Sequence, residues 1–348
     1  MALYFGFNEQ EEYVPPSELI KGLVSKNALT FMYAHPGSGK SIFAMGLAAT
    51  LAEGNLLFGH LCTPSIVIVA CGEDLLGMRE KNAAIHSIRC LSGYGEVVVG
   101  VLGDEELSLT GDFASQTIKK ITSAFEEAEN HFISRTGMPV PPEMPRVLII
   151  DTWSSLTPNI DENSFKETSA ALDTLQRLQR AGVDSIFVTH HSGKNDLKGL
   201  RGHSGLAARA DNIWKLRKQK DKVSVTVEKA KHHANAKRFV FGISTVDVKF
   251  HNDGSTKSLP YFSEMAAARM ESSDAPYENC LLTNEVQRLQ QMGVNVTRSI
   301  LADSLKEKPQ FASYKNLKKY VDREVLKLIS SGRLHENAGH LSYISTEN

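Results

Sequence analysis

The chain has 348 residues, of which 41% are hydrophobic and 23% are charged, and its formal net charge is -1 at pH 7. This composition is ordinary for a globular protein, so it excludes a disordered or fibrous class and a uniformly basic surface. The length predicts one large domain with an appendage, or two domains of moderate size.

The beginning of the chain and its cysteines indicate where the protein works. Residues 1–13 are acidic and aromatic, unlike a secretory signal, and no apolar run approaches the length of a membrane span. The four cysteines show no metal-ligand spacing: Cys62, Cys71, Cys90 and Cys280. This is typical of a reduced chain without a disulfide framework. We therefore expect a cytoplasmic protein.

Between residues 28 and 248, short apolar runs alternate with longer helical patterns. This rhythm of βαβ units predicts an α/β fold with a mainly parallel, twisted sheet. The first strand candidates are 28–33, 65–70, 97–102, 146–150 and 185–189. Later candidates follow without long helices between them and predict a hairpin-like edge: 212–216, 223–228, 239–243 and 246–250.

The composition changes after residue 262. Residues 263–276 are rich in Ala, Ser and acidic residues, which predicts a linker between a domain of residues 1–262, with its core at about 14–250, and a second unit at 277–348. Helices are predicted at 279–292, 297–306 and 313–331, followed by a hairpin that turns at 337–339. Three helices and a hairpin predict a winged-helix-like domain.

A glycine-rich segment, Ala34 to Ser41, lies between the first strand and a helical run. Its glycines let backbone N–H groups close around phosphates, helped by the positive end of the helix dipole. Lys40 is expected to reach the β and γ phosphates of ATP, and the Ser41 hydroxyl is expected to bind Mg²⁺. The pattern departs from the common P-loop at Ala34, where glycine is usual. The predicted nucleotide-binding residues are His35, Pro36, Gly37, Ser38, Gly39, Lys40 and Ser41.

Acidic residues follow two further strands of the predicted sheet. Asp151 ends the buried run 146–150, as a Walker B carboxylate that holds Mg²⁺ does. The next residue is Thr152 rather than glutamate, so the base that activates water has to come from elsewhere. Glu73, after the run 65–70, is our predicted general base, while the neighbouring Asp74 either takes that role or caps the following helix.

His190 and His191 end the strand at 185–189, again at the carboxyl edge of the sheet. A polar side chain there can hydrogen-bond the γ-phosphate and pass its state to the following loop. That loop carries Lys194, Lys198, Arg201 and His203. Metal binding by the two histidines is the weaker interpretation, because no third ligand follows at a suitable spacing.

Six segments together resemble RecA-like ATPases of the hexameric replicative-helicase branch, and are most similar to plasmid RepA-type helicases and their phage relatives. The segments lie within about residues 14–250: AHPGSGKS, CGED, VLIIDT, IDENS, VTHHSGK and LRGHSGLAARAD. The resemblance implies Glu73 as the catalytic base and His190 as the γ-phosphate contact. It also implies that Lys194, Lys198 and Arg201 face single-stranded DNA.

The family also presents a basic residue from a late strand to the ATP of the next subunit. Lys231 matches the lysine at that place, while His233 stands where relatives often carry arginine. Lys237 or Arg238 are the alternatives. Because an ATP site completed by a neighbour makes a head-to-tail interface, the resemblance implies a homo-oligomer, with a hexameric ring as the family expectation.

The segment 313–331 has apolar and basic residues at helical spacing on roughly opposite sides. Lys315, Lys319 and Arg323 on such a helix would neutralise DNA phosphates, which predicts a recognition helix. The acidic Asp322 and Glu324 temper this prediction. A solvated amphipathic face is the equal alternative.

The site residues predict ATP hydrolysis, and the resemblance implies a DNA translocase or helicase of plasmid or phage replication that moves on single-stranded DNA, with other replication proteins as further partners. The alternative is an ATP-dependent DNA-binding regulator or loader that does not unwind. A small-molecule kinase is a third interpretation, which the absence of an arginine-rich lid pattern disfavours.

Overall fold

A computed structural model describes the backbone of residues 17–88, 99–103, 107–193, 199–220, 222–233, 237–249, 254–264, 282, 285–290, 292–306, 316–330 and 334–343. The side chains of Arg323, Glu324, Lys327, Ser330, Tyr343 and Glu264 lie outside this description.

Fifteen strands are present in the described residues. The first eight are β1 Glu18–Ile20, β2 Val24–Ser25, β3 Leu29–Ala34, β4 Leu56–Leu57, β5 His60–Leu61, β6 Ile66–Cys71, β7 Val99–Gly103 and β8 Arg146–Asp151. The others are β9 Ser185–His191, β10 Asn212–Gln219, β11 Lys222–Ala230, β12 Arg238–Lys249, β13 Thr256–Glu264, β14 Leu334–Asn337 and β15 His340–Tyr343.

A nine-stranded sheet in the order β13-β12-β11-β10-β3-β9-β8-β6-β7 forms the centre of the molecule. The strands from β10 to β7 in this order are parallel, whereas β11, β12 and β13 add an antiparallel edge. Strands β3 and β6 are buried along their whole length, as continuous apolar runs in a parallel sheet are. The predicted α/β class and mainly parallel, RecA-like core are confirmed.

The antiparallel edge differs from the prediction. The candidates 239–243 and 246–250 fall in one strand, β12, which is described as far as Lys249, and its partner β13 had not been predicted. β13 contains Pro260, a residue that argues against a central strand, but β13 is the outermost strand of the sheet. An edge strand tolerates proline because its missing N–H leaves no partner unsatisfied on the open side.

Within the same described part of the chain, eight α-helices surround the sheet or follow it: α1 Lys40–Glu53, α2 Leu75–Ile88, α3 Ala114–Thr136, α4 Trp153–Leu156, α5 Phe165–Arg180, α6 Ser204–Arg209, α7 Arg298–Lys306 and α8 Leu317–Ser330. A 3₁₀ turn spans Gly111–Phe113. Residues 285–290 are also helical.

Helix α1 is almost entirely buried, and aromatic packing fixes it to the antiparallel edge. The ring of Phe43 stacks on Phe241 with centroids 5.2 Å apart and meets Phe262 edge-on at 5.8 Å. A Cβ at Gly46 would lie 2.5 Å from the Cβ of Phe262, so only glycine allows this approach. This packing holds the first residue of α1, Lys40, at a defined place beside the sheet.

The C-terminal residues have a hydrophobic cluster of their own, which includes Leu282, Leu301, Val325 and Leu341. The backbone N–H of Leu341 donates to the carbonyl of Val296 at 2.7 Å, so the β14–β15 hairpin pairs with the chain just before α7. Helices α7 and α8 begin one and four residues later than predicted, respectively. The predicted linker 263–276 lies mainly outside the described residues, but its first two residues, Ser263 and Glu264, belong to β13, so the sheet extends past the predicted boundary.

Two other expectations concern single features. Cys62 and Cys71 are buried free thiols, while Cys90 and Cys280 lie outside the described residues. In the part of the chain that the structure describes, no helix has both the length and the apolar character that crossing a membrane requires.

Candidate nucleotide-binding site

The glycine-rich loop joins the end of β3 to the start of α1, the context that a phosphate-binding loop requires. Gly37 and Gly39 have φ of 71° and 84°, a left-handed region that favours glycine. A Cβ at Gly39 would also lie 2.9 Å from Cδ1 of Ile243. His35, Pro36 and Gly37 are exposed, whereas Ser38 is buried. Backbone N–H groups can therefore approach a phosphate on this side of the loop.

Lys40 supplies the positive charge of this loop, and its side chain is only 7% exposed. Its Nζ donates long hydrogen bonds to the carbonyls of Ala34, at 3.4 Å, and His35, at 3.3 Å. Burial lowers the pKa of Lys40, and the nearby carboxylates of Asp151 and Glu73 oppose that shift. A buried ammonium with such weak partners fits a phosphate dianion, which would restore a full charge-assisted hydrogen bond.

Asp151 and Ser41 are suited to hold Mg²⁺ beside the loop. Asp151 ends β8, is 5% exposed and accepts a 2.5 Å hydrogen bond from the Thr189 hydroxyl at Oδ1. Ser41 lies half-buried in the first turn of α1. Magnesium prefers oxygen ligands and keeps few protein groups beside phosphates and water, so these two residues fit its coordination chemistry.

Glu73 follows β6, whose last residue pairs with Asp151 in the neighbouring strand. The register of these parallel strands brings Glu73 to the same edge of the sheet as Lys40 and Asp151. The hydroxyl of Thr152 donates a 3.0 Å hydrogen bond to Oε1 of Glu73, and the carboxylate is exposed. The side chain is therefore both oriented and open to water.

Asp74, the alternative base, makes its contacts within the first turns of α2 instead. Its Oδ1 accepts a 2.8 Å hydrogen bond from the backbone N–H of Gly77, and its Oδ2 lies 3.7 Å from the Lys81 ammonium. Asp74 thus satisfies an N–H in the first turn of α2, as helix-capping aspartates do. Of the two acids, the geometry favours Glu73 as the base.

The adjacent histidines point to opposite faces of the sheet, because side chains alternate along a strand. His191 lies on the face of the P-loop lysine, with Nδ1 3.5 Å from Nζ of Lys40. His190 is fully buried on the other face, where Nε2 hydrogen-bonds the carbonyl of Arg201 at 3.1 Å and the ring lies 6.1 Å from that of Trp153. The histidine beside Lys40 is thus His191, while the predicted contact of His190 with the γ-phosphate stays a prediction.

The environment sets the protonation of both rings. Burial lowers the pKa of His190 to about 3, with a smaller opposite effect from its bond to the Arg201 carbonyl. Burial and then the Lys40 ammonium lower the pKa of His191. His190 is therefore a neutral imidazole at physiological pH.

We expect this buried neutral ring to make stability depend on pH. The folded-state pKa of about 3 lies below the ordinary histidine value of 6.5, so the unfolded chain binds the extra proton between these values. The free energy of unfolding should then fall as pH drops below 6.5, by at most about 1.4 kcal/mol per pH unit for this group. Urea unfolding from about pH 7 to about pH 5 measures the slope.

His190→Gln should flatten this slope, whereas His191→Gln should keep most of it and instead slow ATP turnover. An unchanged slope in His190→Gln would show that the ring is protonated in the folded protein or that other groups set the pH dependence.

The four basic residues considered for the neighbouring site differ in their contacts. His233 lies 3.2 Å from the Ser25 hydroxyl, and Lys237 donates to the Gly22 carbonyl at 2.9 Å, so both hold the N-terminal hairpin of their own chain. Lys231 is 60% exposed and pairs with Asp211 at 3.1 Å. Arg238 is exposed at the start of β12. Of these four residues, Lys231 and Arg238 therefore have the exposed side chains.

The predicted DNA-contacting residues are described only in part. Arg201 is exposed and pairs with Glu162 at 2.7 Å. Lys319 is exposed on α8. Lys194, Lys198 and Lys315 lie outside the described residues, as does the side chain of Arg323.

Sequence reasoning missed several residues at this site. The hydroxyls of Thr152 and Thr189 donate hydrogen bonds to the carboxylates of Glu73 and Asp151, respectively. Nothing in the local sequence around either threonine indicates these contacts. A cavity of about 280 Å³ also opens beside the P-loop, between Ser38 and Ser192 on one side and the end of β10 on the other. The basic run of β10, which includes Lys215, Arg217 and Lys218, was the signal that could have indicated this cavity.

Comparison with known protein families gives one match. The model of a family described as AAA domain matches residues 3–196. None of the curated proteins compared matches the sequence.

Several solved structures are similar at a distance. One of them, described as an ATPase domain, has 15% identity and a TM-score of 0.44, covering 67% of this chain and 85% of its own. The RadB recombinase has 13% identity and a TM-score of 0.44, covering 63% and 88%. A KaiC-like protein from Pyrococcus horikoshii OT3 has 16% identity and a TM-score of 0.44, covering 65% and 91%.

Proposed function

Because the chain belongs to the AAA domain family and has a RecA-like P-loop ATPase core, we propose that it hydrolyses ATP with Mg²⁺ to move on single-stranded DNA. The activity would be that of a translocase or helicase of plasmid or phage replication. The observation that carries the hydrolytic part is the meeting of Lys40, Glu73 and Asp151 at one edge of the sheet. Asp151 ends β8, Glu73 follows the paired strand β6, and Lys40 begins the helix after β3.

Each group of site residues has a different role in ATP hydrolysis. The loop N–H groups and Lys40 bind the phosphates and stabilise the charge that develops on them. Glu73 accepts the proton of the attacking water while the bond from the γ-phosphorus to the bridging oxygen breaks and ADP leaves. Mg²⁺ held by Ser41 and Asp151 would neutralise phosphate charge.

The two histidines have different proposed tasks. His191, beside Lys40, contacts the γ-phosphate. His190 anchors the loop after β9 through the Arg201 carbonyl. Because the two residues are adjacent in one strand, a change at the phosphate is passed directly to the loop that carries Arg201.

The DNA contact and the assembly rest on the resemblance to replicative helicases and on the exposure of basic groups. Arg201, with Lys194 and Lys198, would contact the phosphates of single-stranded DNA. Lys231 is sufficiently exposed to reach the ATP of a neighbouring subunit, in exchange for its pair with Asp211. We therefore propose a head-to-tail homo-oligomer, with a hexameric ring as its closed form.

The C-terminal residues 277–348 are proposed as a winged-helix-like domain, joined to the ATPase domain by a linker that follows β13. The order of helix, isolated β-bridge at Thr297, α7, α8 and hairpin supports this proposal. The bidentate pair of Arg298 with Glu336, at 2.5 and 2.9 Å, ties the start of α7 to the hairpin. Exposed Lys318 and Lys319 are the described cations of α8 that could contact duplex phosphates.

The DNA-stimulated ATPase rate tests the proposal. We expect single-stranded DNA to raise ATP turnover several-fold and this effect to decline with salt, because phosphate contacts release counterions. Arg201→Ala should reduce the stimulation without changing the rate in the absence of DNA. Turnover that stays flat with single-stranded DNA, together with no strand displacement, would contradict translocation while leaving the ATPase intact.

A DNA-bound regulator or loader is the second candidate, favoured by the helix-and-hairpin arrangement of the C-terminal residues. Deletion of residues 277–348 separates the two. A translocase keeps its stimulation by single-stranded DNA after this deletion. A regulator that finds its site through the C-terminal domain loses duplex binding instead.

A further inference from the structure

Thr152 occupies the junction between β8 and α4 and is only 5% exposed. Its hydroxyl donates to Oε1 of Glu73 at 3.0 Å, accepts from the backbone N–H of Ser155 at 3.4 Å and lies 3.1 Å from the Ser154 hydroxyl. One buried hydroxyl thus joins the start of a helix to an exposed carboxylate.

The backbone holds this hydroxyl and Glu73 close together. Thr152 and Ser155 form a reciprocal capping box, in which the Ser155 hydroxyl accepts from the N–H of Thr152 at 2.9 Å. The chain after β6 passes directly over this helix start: the N–H of Gly72 donates to the Asp151 carbonyl at 3.2 Å. A Cβ at Gly72 would lie 2.6 Å from the Ser155 hydroxyl oxygen, so glycine permits the approach.

The capping box also limits where the hydroxyl can go. The Thr152 backbone is extended, and its side chain is held by Ser155 on one side and Glu73 on the other. An exposed glutamate alone samples many rotamers, and ordering it has an entropic cost. A buried, pre-oriented donor removes part of that cost before the nucleotide binds.

We propose that Thr152 is a positioning residue for ATP hydrolysis, which fixes one oxygen of the Glu73 carboxylate and leaves the other for the attacking water. This inference rests on the proposed role of Glu73 as the general base. Thr152 itself touches neither the phosphates nor the water. It acts by setting the direction in which Glu73 accepts a proton.

Helix capping alone would also explain a threonine at this position, but it predicts different effects of substitution. If Thr152 only caps α4, its loss and the loss of Ser155 should have similar effects, mainly on stability. If Thr152 positions Glu73, its loss should lower kcat selectively, because the ground-state contacts to ATP come from the P-loop.

Thr152→Val, Thr152→Ser and Ser155→Ala test the proposal in the full-length protein. Thr152→Val keeps the shape but removes the hydroxyl, and we expect kcat for ATP hydrolysis to fall roughly 10- to 100-fold with KM nearly unchanged. Thr152→Ser keeps the donor and should restore most of kcat. Ser155→Ala removes half of the capping box but not the bond to Glu73, so it should lower the melting temperature and keep kcat.

The outcomes separate this inference from the function on which it rests. Wild-type kcat in Thr152→Val, with turnover abolished in Glu73→Gln, overturns the positioning role and leaves the hydrolytic site standing. Equal losses of kcat in Thr152→Val and Ser155→Ala identify a capping role for Thr152. That result also overturns the positioning role. Full turnover in Glu73→Gln contradicts the proposed base itself. If Thr152→Val does not fold, the smaller Thr152→Cys, a weak donor, should show the same selective fall in kcat.

Discussion

Glu73→Gln is expected to slow ATP hydrolysis by roughly 100- to 10,000-fold, the range associated with loss of a general base. Glutamine keeps the size of the side chain and can still accept the hydrogen bond from Thr152, but it cannot take a proton from water. The phosphate contacts come from the P-loop and Lys40, which follow β3, a strand separated from β6 by β9 and β8. ATP affinity should therefore be retained.

Steady-state turnover, combined with the binding of a fluorescent ATP analogue, measures both effects. Asp74→Asn is the matched control, because Asp74 is the adjacent acid but caps α2. It should lower stability slightly and keep turnover. Parallel loss of binding and turnover in Glu73→Gln would mean that this carboxylate maintains the loop or the metal rather than acting as the base.

Lys40→Ala should abolish turnover and weaken ATP binding by roughly 100-fold, as expected when a charge-assisted hydrogen bond to the phosphates is lost. The Lys40 side chain is buried, and burial lowers its pKa, whereas an anionic phosphate would stabilise the ammonium. Removing the charge also leaves Asp151 and Glu73 facing the phosphates without a compensating cation. We therefore expect both ATP binding and ATP hydrolysis to be impaired.

Titration of the ATP analogue against the variant measures the affinity, and circular dichroism verifies the fold. Lys119→Ala, at an exposed position of α3, is the control for loss of one positive charge. Unchanged affinity in Lys40→Ala would place the phosphates elsewhere and contradict the P-loop as the nucleotide site.

Local patterns predicted the features that depend on neighbouring residues in the chain. Short apolar runs predicted β3 and the strands from β6 to β11, but not the two-residue strands β4 and β5, and the glycine-rich segment predicted the loop between β3 and α1. β13 was not predicted, because Pro260 argues against a strand unless the strand lies at the edge of a sheet. That edge position is a property of the sheet order, which local pattern does not contain.

Local sequence patterns did not distinguish between adjacent residues that could take the same role at the site. Sequence alone left Glu73 and Asp74 as alternatives, and the contact of Asp74 with the N–H of Gly77 favours Glu73. The resemblance pointed to His190, whereas the alternation of side chains along β9 places His191 at Lys40. Which face of a strand meets the loop depends on its register with β3, and this contact joins residues 151 positions apart in the chain.

The sequence by itself determined the α/β class and the phosphate-binding loop, because alternating apolar runs and a strand–glycine–helix segment are local signals. Only the tertiary structure decided which side chains complete the site. Thr152 reaches Glu73, Thr189 reaches Asp151 and His191 reaches Lys40. Each contact joins residues that are distant in the chain and adjacent only where parallel strands end together, so strand pairing had to be known before these partners could be named.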